Sequence, residues 1–399
     1  MLRTIVHTLG HAAAARIRRG WRRAAHRQRP TRIGIDIRPF YEPLTGIGWY
    51  LYHLLHEFAK RDDVELYLFG DARITDEGPR LYADLPPNAQ LCAFDLRGQR
   101  QTRLTRPATA AAYVAWMKLI DVDVMFGANY FLPRLLGAVA KRRVVTVHDL
   151  TYKRFPELLQ KETLDNLEDL MALELARADA VVCVSESTRR DLLHYYDLDP
   201  QRAIAIHSGL GILAAPDASP PALPPRYILF VSTVEPRKNL ATLLDAFESL
   251  KRRGAYDGAL VVVGKIGWKS ESLLPRLRGR DVHHLDYVDA PRLSAIYRGA
   301  EMFVFPSLYE GFGFPLLEAM AHGVPSLAAR SSSLPEIGGD AALYFEPRDT
   351  ATLASLIERL AGDPALRADL AARGREQAAK FRWDATARRT MEVLLRAAG

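Results

Sequence analysis

The sequence predicts an α/β protein with two doubly wound parallel-sheet domains in tandem. Short apolar, β-branched segments alternate with helical patterns from Thr31 to the C-terminus. The segments are apolar on both faces, as expected for strands covered by helices on either side of a parallel sheet. One stretch rich in Pro, Ser and Gly, residues 208–225, interrupts the alternation. A chain of 399 residues is long enough to bury more than one core.

The predicted strands form one series before this stretch and a second series after it. The first series is RIGIDI (32–37), VELYLF (64–69), QLCAF (90–94), VDVMF (122–126), RVVTV (143–147), AVVCV (180–184) and AIAI (203–206). The second is YILFV (227–231), ALVVV (259–263), VHHLDY (282–287), MFVF (302–305), SLAA (326–329) and ALYF (342–345). Helical patterns such as residues 239–253 lie between them, which is typical of tandem doubly wound folds.

The basic charge of the chain is concentrated at its N-terminus. The formal net charge is +7, and residues 1–32 contain no acidic residue but nine arginines: Arg3, Arg16, Arg18, Arg19, Arg22, Arg23, Arg27, Arg29 and Arg32. The rest of the chain has 45 Lys and Arg against 47 Asp and Glu. A body so close to neutral argues against a nucleic-acid partner. Residues 1–29 could instead form an amphipathic helix on an anionic membrane surface, or a disordered basic extension. Their Arg-rich, acid-free composition is also shared with organelle transit peptides.

Two further features indicate the compartment. There are only two cysteines, Cys92 and Cys183, both within predicted strands, so no disulfide framework is expected and a reducing compartment is favoured. No apolar run is long enough to span a bilayer. We therefore expect a cytoplasmic protein, which would be peripheral at the inner face of the cell membrane if residues 1–29 bind that surface.

Ligands of doubly wound sheets bind beyond the carboxyl ends of the strands, so the residues that follow each strand are candidate site residues. In the first domain, Gly46 and Gly48 are predicted to precede an amphipathic helix, where glycines allow backbone to approach an anionic ligand, or to form an ordinary turn. His148 follows the fifth strand and could bond a hydroxyl or a developing charge, or serve structurally. Hydroxyls near Ser187 are interpreted as a helix cap.

In the second domain, the first strand is followed by Arg237 and Lys238, directly before a helix. Two cations at such a turn can clamp a diphosphate, although an exposed surface pair is the alternative. The next two strands are followed by Gly264 and by Val288, which could border a pocket for a nucleotide base.

The segment YEGFGFPLLEAMAHG (309–323) contains two glutamates, Glu310 and Glu318, in apolar surroundings. Glu310 is predicted on a loop, and Glu318 on a helix that begins near Pro315 and ends near Gly323. Because a buried carboxylate without a partner is costly, an external partner is implied, and His322 is the one helical neighbour that could help locally.

The start of this helix offers backbone to a ligand. Gly313 permits close approach, and the amides of Phe314 and Leu316 are predicted to be free for a phosphate or a hydroxyl. A paired-carboxylate acid/base site is the alternative interpretation of the two glutamates.

Four segments together resemble the retaining glycosyltransferases of glycosyltransferase family 4. They are VSTVEPRKN (231–239), DYVDAPRLSAIYRGA (286–300), EGFGFPLLE (310–318), which matches the E-x7-E signature of the family, and FRWDATARRTMEVL (381–394). They occur in the family's order, and the resemblance covers nearly the whole chain from Thr31. It implies a GT-B fold, in which two Rossmann-like domains face a central cleft and a C-terminal helix crosses back to the N-terminal domain.

On this basis five segments are expected. They are a basic N-terminal extension (1–30), an acceptor-side Rossmann-like domain (31–207), a linker (208–225), a nucleotide-sugar-binding Rossmann-like domain (226–379) and the C-terminal helix (380–399).

The resemblance also implies roles for individual residues. Glu318 would hold the ribose hydroxyls of the donor, Glu310 the hydroxyls of its sugar, and Lys238 with Arg237 the leaving diphosphate. His148 would lie near the transferred sugar. The remaining donor contacts would come from Gly46, Gly48, Gly264, Val288, Gly313, Phe314 and Leu316. Many members of the family have an arginine where this chain has Thr233, a further donor-side position.

The expected activity is transfer of a hexose from a nucleotide-diphosphate sugar to a glycan or lipid-linked saccharide acceptor in cell-surface polysaccharide synthesis. Members with an EPRKN segment are often mannosyltransferases, which favours GDP-mannose as donor. Alternatives are a UDP-sugar-dependent glucosyl- or N-acetylglucosaminyltransferase, a sugar-nucleotide epimerase and, last, a non-enzymatic basic-tailed binding protein.

No cofactor or metal is expected. The triplet Asp121–Asp123 matches the D-x-D motif of metal-dependent glycosyltransferases but opens an apolar strand, so we assign it a structural role. Two cations and helix amides can stabilise the leaving group without a metal.

Overall fold

The structure is a computed structural model, and it describes residues 29–40, 46–70, 87–93, 105–158, 161–211 and 222–399. Residues 1–28, which hold most of the basic N-terminal extension, lie outside the described residues, as do residues 212–221 of the predicted linker. The expectations for these two segments stay predictions.

All seven strands expected in the first half of the chain form one parallel sheet. Their order is β3-β2-β1-β4-β5-β6-β7. The strands are β1 (Thr31–Asp36), β2 (Val64–Gly70), β3 (Ala89–Ala93), β4 (Val124–Gly127), β5 (Arg143–Val147), β6 (Ala180–Cys183) and β7 (Ala203–Ala205). The order in which strands are added changes direction between β1 and β4: β2 and β3 lie on one side of β1, and β4 to β7 on the other. This is the order of a doubly wound sheet.

The six strands of the second half form a second parallel sheet in the order β10-β9-β8-β11-β12-β13. The strands are β8 (Tyr227–Val231), β9 (Ala259–Val263), β10 (Val282–Leu285), β11 (Met302–Phe305), β12 (Ser326–Ala329) and β13 (Ala342–Phe345). Strands β8, β9, β11 and β12 are buried along their whole length, as their two-sided apolar character predicts. The change of direction falls between β8 and β11, so ligand-binding residues are expected at the carboxyl ends of these two neighbours.

Thirteen α-helices are assigned in the described residues. They are α1 (Gly46–Phe58), α2 (Thr105–Ile120), α3 (Arg134–Val139), α4 (Thr151–Arg154), α5 (Lys161–Arg177), α6 (Glu186–Tyr195), α7 (Leu240–Arg252), α8 (Ala290–Gly299), α9 (Phe314–Ala321), α10 (Leu334–Gly338), α11 (Thr350–Gly362), α12 (Pro364–Ala378) and α13 (Trp383–Ala398). Short 3-10 turns occur between them, including Pro236–Lys238 after β8.

Three differences from the predicted element boundaries have a structural cause, and the strands other than β4 and β10 agree with the prediction to within one residue. Strand β4 begins at Val124 rather than 122, and Asp123 lies at the end of the sheet, where its carboxylate accepts from the N–H of Arg32. Strand β10 ends at Leu285 and is only half-buried, because it is an edge strand with one neighbour. Helix α1 already begins at Gly46, so Gly46 and Gly48 lie within its first turn rather than before it.

The C-terminal helix reaches the last strand of the seven-stranded sheet. Thr386 Oγ1 donates to the carbonyl of His207 at 2.7 Å, and a guanidinium nitrogen of Arg389 donates to the carbonyl of Ala205 at 2.9 Å. Near its start, Trp383 Nε1 donates to the carbonyl of Leu210 at 2.7 Å. These bonds join α13 to β7 and to the segment that follows it.

The chain divides into two compact units, one formed by Met1–Val145 with Met391–Gly399 and the other by Thr146–Thr390. This division falls inside β5 and not at residues 208–225, so the domain boundaries expected from the sequence stay predictions. None of the described helices combines the length and the apolar character needed to cross a membrane.

Candidate functional site

The loops that follow β8 and β11 are bonded to one another at the change of strand direction. The backbone N–H of Leu308 donates to the carbonyl of Arg237 at 2.8 Å, and Asn239 Nδ2 donates to the carbonyl of Pro306 at 2.9 Å. Asn239 adopts a left-handed conformation with φ of 55°, which turns the chain from the 3-10 turn into α7. The two cations of the first loop are thereby brought to the glutamate of the second.

Glu310 is held by both cations. Lys238 Nζ donates to Glu310 Oε1 at 2.7 Å, and an Arg237 guanidinium nitrogen donates to Glu310 Oε2 at 3.1 Å. Arg237 also donates to Glu235 at 2.8 Å and to the carbonyl of Tyr309 at 2.8 Å. Only 9% of the Glu310 side chain and 11% of the Lys238 side chain are exposed. The sequence prediction that Glu310, Lys238 and Arg237 act in one place is consistent with this arrangement.

The charges of this cluster control one another's protonation. Burial alone would raise the pKa of Glu310, but Lys238 and Arg237 outweigh it and hold the pKa below its ordinary value. Burial also opposes the charge of Arg237, yet Glu310, Asp149 and Glu235 raise its pKa above the ordinary value. For Lys238, burial and the neighbouring Arg237 lower the pKa despite Glu310. An additional anion beside Lys238 would therefore be stabilising, since it would favour the charged ammonium.

The main chain of Glu310 is fixed by two serines that the sequence analysis did not identify. Its N–H donates to Ser332 Oγ at 2.7 Å, and its carbonyl accepts from Ser333 Oγ at 3.0 Å. Ser333 Oγ also donates to the carbonyl of Phe312 at 2.7 Å. Both serines follow β12, so a run of hydroxyl residues at a strand-to-helix turn was the available signal.

Glu318 lies on the first turns of α9, and its carboxylate bonds a residue of another helix rather than the helical neighbour His322. Tyr297 of α8 donates its hydroxyl to Glu318 Oε2 at 3.1 Å. His322 instead places Nδ1 2.8 Å from the main-chain oxygen of Glu318 and stacks on the ring of Tyr297. Burial and the nearby Glu318 carboxylate raise the pKa of Tyr297 well above its ordinary value, so the hydroxyl stays protonated and can donate. The backbone of Gly211 passes close by: a Cβ there would lie 2.8 Å from Glu318 Oε1.

The start of α9 offers less free backbone than predicted. Gly313, with φ of 112°, is the N-cap, and its carbonyl accepts from the N–H groups of Leu316 at 3.1 Å and Leu317 at 3.3 Å. The amide of Leu316 was predicted to be free and is not, because a short i to i+3 bond uses it. Phe314 lies at the first helical position.

Three expected donor residues lie at the carboxyl ends of β8, β9 and β10. Gly264 has φ of 142°, and a Cβ there would lie 2.6 Å from the carbonyl carbon of Ser232, so this position requires glycine. Thr233 is exposed, and its backbone nitrogen would lie 3.1 Å from that Cβ. Val288 is half-buried before α8. The side chain of Gly264's neighbour Lys265 lies over the ring of Tyr287, 5.7 Å from its centroid.

His148 follows β5 as predicted, and its main chain meets the Glu310 loop. A Cβ at Gly311 would overlap the His148 carbonyl oxygen and lie 2.7 Å from its carbon. Gly46 and Gly48 belong to the other compact unit, where Gly46 is exposed and Gly48 buried. Whether any of these positions binds a donor stays a prediction.

Helix α6 is held at its N-terminus by a carboxylate from α10. Glu336 accepts hydrogen bonds from the N–H groups of Glu186 at 2.7 Å and Ser187 at 2.9 Å, and its other contact is His207 Nε2. The predicted cap near Ser187 is Ser185, whose hydroxyl accepts from the N–H of Thr188 at 3.0 Å. A negative charge at a helix N-terminus is favourable for the helix dipole as well.

Replacing Glu336 by glutamine should give a stability loss that depends on pH. Burial raises the pKa of Glu336, but the bonds from His207 and from the two N–H groups outweigh it and hold the pKa below 4.5. The folded state is therefore favoured by the ionised group above about pH 4.5, and this contribution is lost as the pH falls through the folded-state pKa. Urea unfolding at pH 3–7 should show Glu336→Gln less stable by about 1–3 kcal/mol near neutrality and the gap closing below pH 4.5.

The exposed Glu346→Gln is the matched control, since Glu346 pairs only loosely with Arg330, at 3.8 Å. It should follow the wild-type curve. A Glu336→Gln deficit that stayed constant or grew on acidification would contradict the assignment.

The Asp121–Asp123 triplet is occupied by basic partners. Asp123 accepts from the N–H of Arg32 at 2.8 Å and pairs with Arg29, and Asp121 pairs with Lys141. Within the part of the chain that the structure describes, no group of three or more His, Cys, Asp or Glu side chains is arranged to hold a metal ion. The expectation of a metal-independent site stays a prediction.

Family models match both halves of the chain. A model described as Glycosyltransferase Family 4 matches residues 44–211, and one described as Glycosyl transferases group 1 matches residues 214–377. The chain is 31% identical over 369 residues to O-antigen chain mannosyltransferase B of Escherichia coli, covering 87% of this chain and 94% of that protein.

Solved structures share the fold. Sucrose-phosphate synthase from Thermosynechococcus elongatus has a TM-score of 0.70 at 20% identity, over 92% of this chain and 98% of that one. The Anabaena protein Alr3699/HepE in complex with UDP has a TM-score of 0.66 at 16% identity, over 92% and 100% of the two chains. Identities this low show the fold alone, and with the two doubly wound sheets they confirm the expected GT-B architecture.

Proposed function

The chain belongs to glycosyltransferase family 4, a family of retaining hexosyltransferases, and we propose that it transfers mannose from GDP-mannose to a glycan or lipid-linked saccharide. The observation that carries this proposal is the buried cluster of Glu310, Lys238 and Arg237 at the change of strand direction. The similarity to a mannosyltransferase of O-antigen chains supports mannose as the sugar and cell-surface polysaccharide as the product.

The cluster suits a reaction in which negative charge develops on a leaving diphosphate. When the bond between the sugar and the diphosphate breaks, Lys238 and Arg237 stabilise the oxygen that leaves. Both cations are already oriented by Glu310, so little reorganisation is needed at that moment. Lys238 has three donors and uses one on Glu310, which leaves others for phosphate oxygens.

The two glutamates would serve different parts of the donor. Glu310 accepts hydrogen bonds from hydroxyls of the sugar and so orients the sugar toward the acceptor. Glu318, held by Tyr297, accepts the ribose hydroxyls, and the loops at Gly264 and Val288 border the base. His148 would lie near the transferred sugar, and the backbone at Gly313 and Phe314 would complete the phosphate and sugar contacts.

A UDP-sugar is the second candidate donor. The likeness to a structure that contains UDP favours it, and glucose or N-acetylglucosamine would then be the sugar. A sugar-nucleotide epimerase would use the same fold without an acceptor. Mass spectrometry of the products, with donor alone and then with acceptor, separates these activities.

Donor binding should be visible as thermal stabilisation. A ligand that binds only the folded state stabilises it by about 2.7 kcal/mol at one hundred times its Kd. We expect GDP-mannose to raise the Tm more than UDP-glucose or UDP-N-acetylglucosamine at equal concentration. Glu318→Ala should lose most of this shift, because the ribose loses a charged acceptor.

Glu346→Ala, which removes a mostly exposed glutamate, should keep the full GDP-mannose shift. A larger Tm shift with a UDP-sugar than with GDP-mannose would show that the donor is that UDP-sugar. An undiminished shift in Glu318→Ala would remove Glu318 from the donor site.

Location and metal dependence complete the proposal. A lipid-linked acceptor would place the enzyme at the cytoplasmic face of a membrane, where the eight arginines of residues 1–29 suit anionic lipid. Charge neutralisation by Lys238 and Arg237 makes a metal unnecessary for the leaving group.

A further inference from the structure

We infer that Ser185, Thr188 and Asp191, here named the α6 anchor residues, are positioning residues that fix Glu310 for reaction. They touch neither the carboxylate nor its cations. They hold the two residues on either side of it, Tyr309 and Gly311. This inference rests on the role proposed above for Glu310.

The carbonyl of Gly311 is held by two hydroxyls. Ser185 Oγ donates to it at 2.6 Å and Thr188 Oγ1 at 3.1 Å, and both side chains are buried. A carbonyl oxygen has two lone pairs, so its hydrogen-bonding capacity is filled. Gly311 also lies against the His148 carbonyl, where no side chain would fit. The backbone on the C-terminal side of Glu310 is therefore confined on both faces.

The hydroxyl of Tyr309 is held in the same way on the N-terminal side. It donates to Asp191 Oδ2 at 2.6 Å and accepts from the N–H of Leu150 at 3.2 Å. The ring also packs against Phe155, with centroids 6.0 Å apart. Tyr309 in turn offers its carbonyl to Arg237 at 2.8 Å.

The anchor residues recur every third position, at 185, 188 and 191. Three residues of α-helix advance about 4.5 Å, so a single helix edge runs along the segment that carries Glu310. Helix α6 is itself fixed at its start by the Ser185 cap and by Glu336. Helix α6, which lies between β6 and β7 of the seven-stranded sheet, is thus a rigid support for Glu310, which follows β11 of the six-stranded sheet.

The expected consequence is a separation of kcat from donor KM. A displacement of about 1 Å at a reacting group can cost about 10²-fold in rate. The backbone of the 3-10 turn that carries Lys238 has further supports of its own: Asn239 bonds the carbonyls of Pro306 and Pro347, and the N–H of Leu308 bonds the carbonyl of Arg237. Loosening the anchor should therefore move Glu310 against the sugar while donor affinity stays nearly unchanged.

The test is the double variant Thr188→Val/Tyr309→Phe. It removes one hydroxyl from Gly311 and one from Asp191, but keeps side-chain shape and the Ser185 cap on the Thr188 N–H. We expect kcat to fall by about tenfold or more and the donor KM to stay within about twofold, measured with the donor that stabilises the protein. Hydrogen exchange of the amides of residues 309–313 should become faster, a readout that needs no activity.

Two matched controls separate positioning from general stability. Thr188→Ser keeps the hydroxyl and should keep kcat. Tyr256→Phe removes a comparable bond from a tyrosine hydroxyl to Glu301, 3.0 Å long, and should lower stability but not kcat. If the double variant folds poorly, Asp191→Ala and Asp191→Asn are compared instead. Asp191→Ala removes the acceptor of the Tyr309 hydroxyl and should lower kcat. Asp191→Asn keeps an amide oxygen that can accept from Tyr309 and should restore kcat.

Wild-type kcat in the double variant, or a loss confined to donor KM, would overturn the inference. Glu310→Gln distinguishes this failure from failure of the proposed function. If Glu310→Gln is inactive while the double variant is fully active, the anchor has no positioning role. If Glu310→Gln is itself fully active, the role proposed for Glu310 is wrong, whatever the exchange of residues 309–313 shows about the anchor.

Discussion

Lys238→Ala is expected to lower kcat by about 10²- to 10³-fold, the cost of removing one preorganised donor from a developing oxyanion. Lys238 is almost fully buried and holds Glu310 at 2.7 Å, so its loss leaves the carboxylate with Arg237 alone. The leaving diphosphate loses a cation in a site that excludes water, where charge interactions are strong. Steady-state kinetics of sugar transfer measures the effect.

Lys380→Ala is the matched control, because Lys380 is exposed and bonds Gln377 on the surface of the chain. Its kcat should equal that of the wild type. A kcat for Lys238→Ala within threefold of wild type would show that Arg237 carries the charge alone and that Lys238 has no catalytic role.

Gly311→Ala should damage both stability and activity. The added Cβ would overlap the His148 carbonyl oxygen and lie 3.0 Å from Asp149 Cβ, and a main-chain oxygen moves less easily than a flexible side chain. Overpacking of this kind costs about 1–3 kcal/mol. Because Gly311 directly follows Glu310, the displaced backbone should also lower kcat by about 10²-fold. Thermal unfolding and steady-state kinetics measure the two effects.

Gly362→Ala serves as its control. Gly362 lies at the end of α11, and a Cβ there would meet nothing within 4 Å. This variant should have wild-type kcat and equal or slightly higher stability, since alanine restricts the unfolded chain. A Gly311→Ala protein that matched it in Tm and kcat would show that the His148 loop yields at little cost.

The fold was accessible from the sequence because its signals are local. Strand segments such as ALVVV and MFVF are apolar on both faces, and that pattern reports burial between two helix layers. The predicted strand ends were wrong where the position of a strand in the sheet, and not its local sequence pattern, sets its length. The half-buried edge strand β10 ends earlier than VHHLDY suggests, because only one neighbour supports it.

Only part of the candidate site could be predicted from the sequence. Glu310 with Lys238 and Arg237 was expected through the family motif, and the structure brings the three together. For Glu318 the sequence implied a partner from outside its helix but did not identify it; the carboxylate accepts from Tyr297 on another helix, and His322 contacts the main-chain oxygen instead. The amide of Leu316 was wrongly taken as free, because a short helix closes its first turn on Gly313.

The sequence by itself determined which segments become strands, that there are two sheets, and that two cations follow the first strand of the second series and two glutamates its fourth. Periodicity and motif spacing are properties of a few consecutive residues, and burial of those residues follows from them. Only the tertiary structure decided what holds Glu310. Ser185, Asp191 and Ser332 lie 125, 119 and 22 positions away along the chain, and no local pattern marks them as its supports. Hydrogen bonds across such separations exist only after the sheets have formed, because the fold alone brings their donors and acceptors within 3 Å.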